Sequence, residues 1–317
     1  MSSRSGVALG LAAYLLWGVF PLYFPLLAPA GAVEVLLHRV LWSLVVCAVV
    51  LTVLQARRRS AWAPVLALAR SPRTLALLAV AALVIAVNWG VYIYATTTGH
   101  VIEASLGYFV NPLVTVALAV LLLGERLRRL QWVAVGVGLV AVVVLTVDYG
   151  HPPWIALVLA VSFGTYGLAK KKLGGTGGQG LSALTSLTAE TVLLAPLALV
   201  ALVVVEATGR GSFTADAPWH PLLLASTGVV TAVPLLLFAA AARRVTLTTT
   251  GLLQYVTPVL QLALGVLVLG ERMPASRWAG FALVWVALVL LTVDMLRAAR
   301  SRPSRAVEAR VPVAVER

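Results

Sequence analysis

The 317-residue sequence predicts an all-α polytopic membrane protein: ten transmembrane helices in two inverted five-helix repeats, with both termini cytoplasmic. Three observations carry that expectation. Apolar residues make up 61% of the chain and charged residues 11%, with a mean hydropathy of +0.99, far from the balance of a soluble domain. The basic residues are confined almost entirely to alternate loops. The four letters Leu-Gly-Glu-Arg stand at 123–126 and again at 269–272, inside a longer stretch that repeats itself.

A hydrocarbon core of about 30 Å needs about 20 mostly apolar residues per helix. Ten such runs are bounded by charge, Gly or Pro: 6–27, 33–54, 74–96, 101–123, 130–147, 153–169, 181–205, 220–241, 248–269 and 278–297. The first is too long for the apolar region of a secretory signal and lacks a clear small-residue cleavage site, so it reads as helix one. With the N-terminus inside, 20 of the 24 Lys and Arg fall on the cytoplasmic side. The other side receives only Arg210, Arg272 and Arg277, and Arg39 lies within a run. This is a positive-inside pattern for an inner-membrane, multi-pass chain. The net charge of +13 is therefore topological, and gives no reason to expect a nucleic-acid partner.

Sliding residues 105–148 onto 251–294 without a gap matches 19 of 44 positions. The matches include Pro112 with Pro258, Trp132 with Trp278, and Leu-Thr-Val-Asp at 145–148 with the same four at 291–294. Going backward, Gly18 falls on Gly164, and Glu34 on Glu190 once ten residues are allowed for the Gly-rich loop 173–180. Residues 1–148 and 149–297 thus read as two copies of a five-helix unit. Five is odd, so the copies enter the membrane in opposite senses. Residues 298–317 mix Arg, Glu, Pro and small residues without an apolar period and read as a disordered basic cytoplasmic tail. The Leu-Gly-Glu-Arg segments read as turns closed by Gly; a second reading makes each Glu and Arg a latch that breaks as the halves move.

Ten helices in two inverted halves, with Gly-Glu-Arg closing the fourth helix of each, resemble the EamA-type transporters of the drug/metabolite transporter superfamily. Several runs resemble the RarD, or chloramphenicol-sensitive protein, group within it. They are Tyr14-Leu-Leu-Trp-Gly-Val-Phe-Pro-Leu-Tyr23, His38-Arg39-Val-Leu-Trp-Ser43, Asn88-Trp-Gly-Val-Tyr-Ile-Tyr94 and, most specifically, Gly99 through Pro112. The resemblance covers residues 6–297 and implies a secondary transporter of small organic molecules. It does not establish that chloramphenicol is carried, since EamA-type relatives include exporters of amino acids and other metabolites.

Ionisable groups inside a bilayer are costly, and each is a functional candidate. Glu34 and His38 share a helix face and Arg39 lies about 100° round from His38, so the trio is expected to frame one polar patch. Arg39 either binds a substrate carboxylate, keeps a neighbouring Glu ionised, or snorkels in a helix interface. Glu190 lies in the seventh run with no Lys or Arg nearby in sequence. It reads as a proton carrier, making protons the coupling ion, or as a hydrogen-bonding contact between helices. His100 and Glu103 read as a gate or helix cap.

Prolines at matched positions in two runs point to interrupted helices and a binding site between them. Around Pro112 and Pro258 lie Tyr108, Asn111, Gln254, Tyr255 and Gln261, amides beside aromatic rings that suit a small-molecule substrate. Tyr14, Trp17, Asn88, Trp89 and Tyr92 are candidates to complete the cavity, although each ring could equally serve packing or interfacial anchoring. An enzyme is the rival class, but the chain has no His-Glu-x-x-His, Gly-x-Ser-x-Gly or P-loop motif, its four histidines are scattered, and no cluster of His and acidic residues large enough for a metal centre is expected. Its single cysteine, Cys47, permits neither an internal disulfide nor a thiolate cluster. Nothing calls for a cofactor. The remaining reading is a channel or scaffold.

Overall fold

The computed structural model describes residues 3–57, 61–68, 70–124, 126–173, 182–213, 218–242, 244–245 and 247–300. Its elements are α1 (Ser3–Gly18), α2 (Phe20–Tyr23), a 3-10 turn (Phe24–Leu27), α3 (Ala32–Arg57), α4 (Ala63–Leu68), α5 (Pro72–Thr97), α6 (Val101–Leu123), α7 (Arg129–Tyr149) and α8 (Trp154–Leu173). There follow α9 (Ala183–Ala207), α10 (His220–Ala242), α11 (Leu247–Leu253), α12 (Val256–Leu267) and α13 (Ala275–Arg300). The described residues are all-helical, without strands.

Each apolar run is occupied by helix. Eight helices are long and apolar enough to cross a membrane, and nine spans result if α1 and the α2–Leu27 segment, bent by 40°, count as one. The bend lies where Pro21 and Pro25 interrupt the backbone ladder. Helix α8, which fills the sixth run, stands outside that count; it ends in Lys170, Lys171 and Lys172.

Helix ends follow local chemistry. Ser71 and Ser182 cap α5 and α9 by accepting from Thr74 N and Thr185 N. Gly124 and Gly270, the glycines of the repeated tetrapeptide, have φ of +66° and +67°. Side-chain-bearing residues avoid this left-handed region, so the turn reading holds for both copies. Glu125 lies outside the described residues, as does the tail from 301; the preceding 298–300 continue α13 as helix.

The expected proline breaks are corrected. Helix α6 runs unbroken through Pro112. The matched run is interrupted, but at Gln254 and Tyr255, and Pro258 stands in the first turn of α12. There a missing N–H costs nothing, because first-turn amides have no intrahelical acceptor.

Packing is inside-out relative to a soluble protein. Leu121, Val147 and Leu267 are 77%, 79% and 81% exposed, whereas Glu34, His38, Arg39, Asn88, Glu103, Glu190, His220 and Gln261 are buried. A lipid solvent produces this distribution: apolar faces lose nothing outside, and polar groups find partners only within. Helix α3 packs on α9 and α10, α6 on α8 and α12, α7 on α13, α5 on α8, and α1 on α10 and α12. The bundle end at which α3, α6 and α8 begin will be termed the His100 end, and the opposite one the Lys170 end.

Candidate functional site

Arg39 projects from α3 into the centre of the bundle and is 4% exposed. Its Nε donates to Thr231 Oγ1 of α10 at 2.9 Å. The guanidinium lies 4.2 Å from the Trp89 ring centre and 5.6 and 5.7 Å from those of Phe24 and Phe20. Among the described residues no carboxylate approaches it within 4.0 Å. Cation–π contacts contribute roughly 0.5–2 kcal/mol each, so three together are of the same order as the several kcal/mol needed to take an unpaired ion out of water. The neighbours of Arg39 are thus a hydroxyl and three aromatic rings, with no side-chain anion among the described residues.

Polar groups from both halves of the chain surround it. Gln261 Nε2 donates to Tyr92 Oη at 2.7 Å and to the Trp17 carbonyl at 3.2 Å. Tyr108 Oη donates to Asn88 Oδ1 at 3.4 Å, and Asn88 Nδ2 donates to Ser162 Oγ and the Leu159 carbonyl of α8. Tyr92 and Tyr108 meet edge to face at 5.7 Å, and Phe24 meets Tyr92 at 6.0 Å. Tyr14 and Trp17 pack with Phe238 of α10, and Thr257 Oγ1 donates to the Tyr14 carbonyl. The structure thus joins Arg39, Asn88, Trp89, Tyr92, Tyr108, Gln261 and Trp17 into one aromatic and amide cluster, with Tyr14 on its flank.

Other expected members lie elsewhere. Gln254 and Tyr255 form the break between α11 and α12, and Tyr255 packs against the cluster that holds Phe109 and Phe281. Asn111 is half-buried on α6, its Oδ1 without a partner. The trio on α3 divides: His38 stacks on Phe213 at 5.1 Å and Glu34 Oε1 accepts from Ser212 N and Oγ at 2.7 and 3.0 Å, both away from Arg39. A step of about 100° between adjacent helix residues aims His38 and Arg39 at different neighbours.

Glu190 is not the unpaired carboxylate that its sequence neighbourhood implied. Lys170 Nζ of α8 lies 2.7 Å from Oε1, Ser186 Oγ donates to the same oxygen at 2.9 Å, and Tyr166 Oη donates to Oε2 at 3.2 Å. The lysine is 20 residues away and arrives only by helix packing.

Carboxylates tie helix ends together at the His100 end. Glu271, from the second Leu-Gly-Glu-Arg, accepts from Val101 N and Ile102 N at 2.6 and 2.8 Å, satisfying first-turn amides of α6 that its N-cap residue His100 leaves open. Glu103 accepts from Ile155 N at the start of α8. His100 itself is exposed, bonded to Thr98 and stacked on Tyr94. The repeated aspartates, to which sequence assigned no role, are also paired: Asp148 with Arg277 and Ser276 of α13, and Asp294 with Arg128 beside α7. Recurrence of Leu-Thr-Val-Asp at matched helix ends was the signal that could have revealed them.

Comparison with known proteins agrees with this architecture. The model of the EamA-like transporter family matches residues 4–147 and 153–293. The chain is 54% identical over 309 residues to Protein RarD of Streptomyces exfoliatus, covering 98% of this chain and 94% of that protein. It is 39% identical over 295 residues to Protein RarD of Escherichia coli K12, covering 93% and 96%. It is 33% identical over 311 residues to the chloramphenicol-sensitive protein RarD of Pseudomonas aeruginosa, covering 96% and 99%. A solved crystal structure shares the fold with a TM-score of 0.56 at 19% identity, over 93% of this chain and 99% of that one. Matched along nearly its whole length by that family and by relatives of the RarD group, this multi-pass membrane protein belongs to the EamA-like transporter family.

Proposed function

We propose that the protein is a secondary exporter in the inner (plasma) membrane, moving a small organic metabolite or amphipathic drug-like molecule with an anionic group by alternating access. The observation that carries this reading is Arg39, a buried guanidinium without a carboxylate partner among the described residues, set in an aromatic and amide cluster drawn from both halves. A substrate carboxylate or phosphate would complete the charge, and the rings would take its apolar part.

The reading takes residues 1–148 and 149–297 as inverted copies spanning the membrane ten times, with both termini cytoplasmic and the His100 end periplasmic. Packing supports it: in the register of the repeat α3 corresponds to α9, α6 to α12 and α7 to α13, and each of these lies against its own counterpart. The two halves are not used alike, since α6 packs on α8 more extensively than α12 on α1, and α3 on α10 more than α9 on α5. With Glu271, Glu103 and Glu34 bonded across helix ends, this asymmetry supports a conformation closed at the His100 end and loaded from the cytoplasm. Proton coupling through Glu190 belongs to the same proposal.

An uptake carrier or exchanger of similar substrates is the runner-up; a channel would conduct continuously. The test is an untargeted comparison of metabolites accumulated by vesicles reconstituted with wild-type protein, with Arg39→Ala protein, or without protein. Wild-type-specific accumulation of anionic solutes lost in Arg39→Ala supports the reading. Equal accumulation in all three vesicle types overturns it.

A further inference from the structure

Away from the Arg39 cluster, three side chains meet where α3 begins and α9 ends. One ligand atom each from Glu34, His38 and Glu206 lie within 4.8 Å of one another. Glu34 and His38 are buried, each 3% exposed, and Glu206 is half-buried. Glu34 Oε2, His38 Nε2 and Glu206 Oε1 have no hydrogen-bond partner, and neither carboxylate has an ion-pair partner among the described residues. Two carboxylates this close repel each other unless a cation or proton sits between them.

The supporting groups hold the set in place. Glu34 is gripped through its other oxygen by Ser212 N and Oγ, and Ser212 is bonded to His220 Nε2 at 3.0 Å. Such outer contacts orient a carboxylate as a one-oxygen ligand. Phe213 stacks against the His38 ring and sets its plane. Gly211 admits the Glu206 carboxyl: a Cβ there would fall 2.2 Å from Glu206 Cδ. An open pocket of about 240 Å³, lined by His38, Glu206, Phe213 and apolar residues, adjoins the set.

We propose that Glu34, His38 and Glu206 form a divalent transition-metal site, with Zn²⁺ the best-matched ion. The imidazole is a borderline ligand that favours Zn²⁺ over Mg²⁺ or Ca²⁺, and the two carboxylates, hard ligands, are also found on Zn²⁺. Zn²⁺ with ligands at roughly 2.0–2.1 Å sets them about 3.3 Å apart, so the set, now within 4.8 Å, would draw in on the ion. Since α3 and α9 belong to different halves of the chain, a bound ion would clamp them together at the His100 end.

The experiment needs no transport assay. Tag-free protein in detergent, stripped with a chelator, is titrated with ZnCl₂ in a calorimeter, with MgCl₂ as a parallel run. Expected is one saturable Zn²⁺ site per chain, absent with Mg²⁺. Affinity should fall roughly tenfold or more in His38→Gln and in Glu206→Gln, and persist in a His100→Gln, His151→Gln double variant that removes exposed imidazoles. If His38→Gln does not fold, Glu206→Gln, altered at a half-buried position, gives the same comparison. No saturable Zn²⁺ binding by the wild type, or undiminished binding in the ligand variants that fold, overturns the proposal.

Discussion

Arg39 and Glu190 show at single-residue scale how burial and pairing divide the charged groups of one chain. Arg39 lacks a carboxylate among the described residues, whereas Glu190 has Lys170 at 2.7 Å. Arg39→Lys is expected to lose most transport, close to Arg39→Ala, because lysine lacks the planar fork that pairs two oxygens and stacks on Trp89. Uptake assays at matched reconstitution levels check this, and wild-type rates in Arg39→Lys would show that only charge is needed. For Glu190, removing Lys170 leaves an uncompensated buried carboxylate at a cost of roughly 3 kcal/mol or more, whereas removing Glu190 leaves a lysine that is 26% exposed and costs less. Glu190→Gln and Lys170→Ala should therefore each lower the thermal unfolding midpoint, and the double variant should recover part of the loss. If Glu190 also carries the coupled proton, Glu190→Gln retains substrate exchange but loses its response to a pH gradient; gradient-driven accumulation at the wild-type level would leave the residue as structural glue.

At the scale of elements, both Leu-Gly-Glu-Arg segments turn at glycine, and the second adds a contact between helix ends. Glu271 caps a helix 170 residues earlier in the chain through two amides, so if the second segment acts as a latch as well as a turn, it does so through a helix start and not through its own arginine. Glu271→Ala leaves those amides without their acceptor, at a cost of about 1–3 kcal/mol if water does not replace it. The expected outcome is faster hydrogen exchange at Val101 and Ile102 and greater thiol access at the His100 end, with the fold retained. Unchanged exchange at both amides would remove the latch.

For the whole molecule the decisive prediction concerns sidedness. Cysteines introduced at Ser60 or in the tail should react only with a cytoplasmic reagent, and one at Thr208 only with an external one. The two repeated turns, probed at Leu127 and Met273, should label from opposite faces. Labelling of both from one face would refute the inverted arrangement and, with it, export by rocking of two halves.

Helices and their approximate bounds, the turns at Gly124 and Gly270, and membership of a transporter family were legible in the sequence. These are properties of local composition, periodicity and repetition, which the chain carries without reference to its fold. Buried-run chemistry also marks Arg39, Trp89, Tyr92, Tyr108 and Gln261 as candidates, and the structure brings these five together. Partnership was the part the sequence could not carry. Lys170 reaching Glu190, Glu271 reaching Val101, Glu206 approaching His38, and Arg39 turning away from Glu34 all depend on which faces of α3, α6, α8 and α9 meet. That choice is made by packing between helices far apart in the chain, where a step of about 100° per residue decides whether two neighbours share a site or serve different ones.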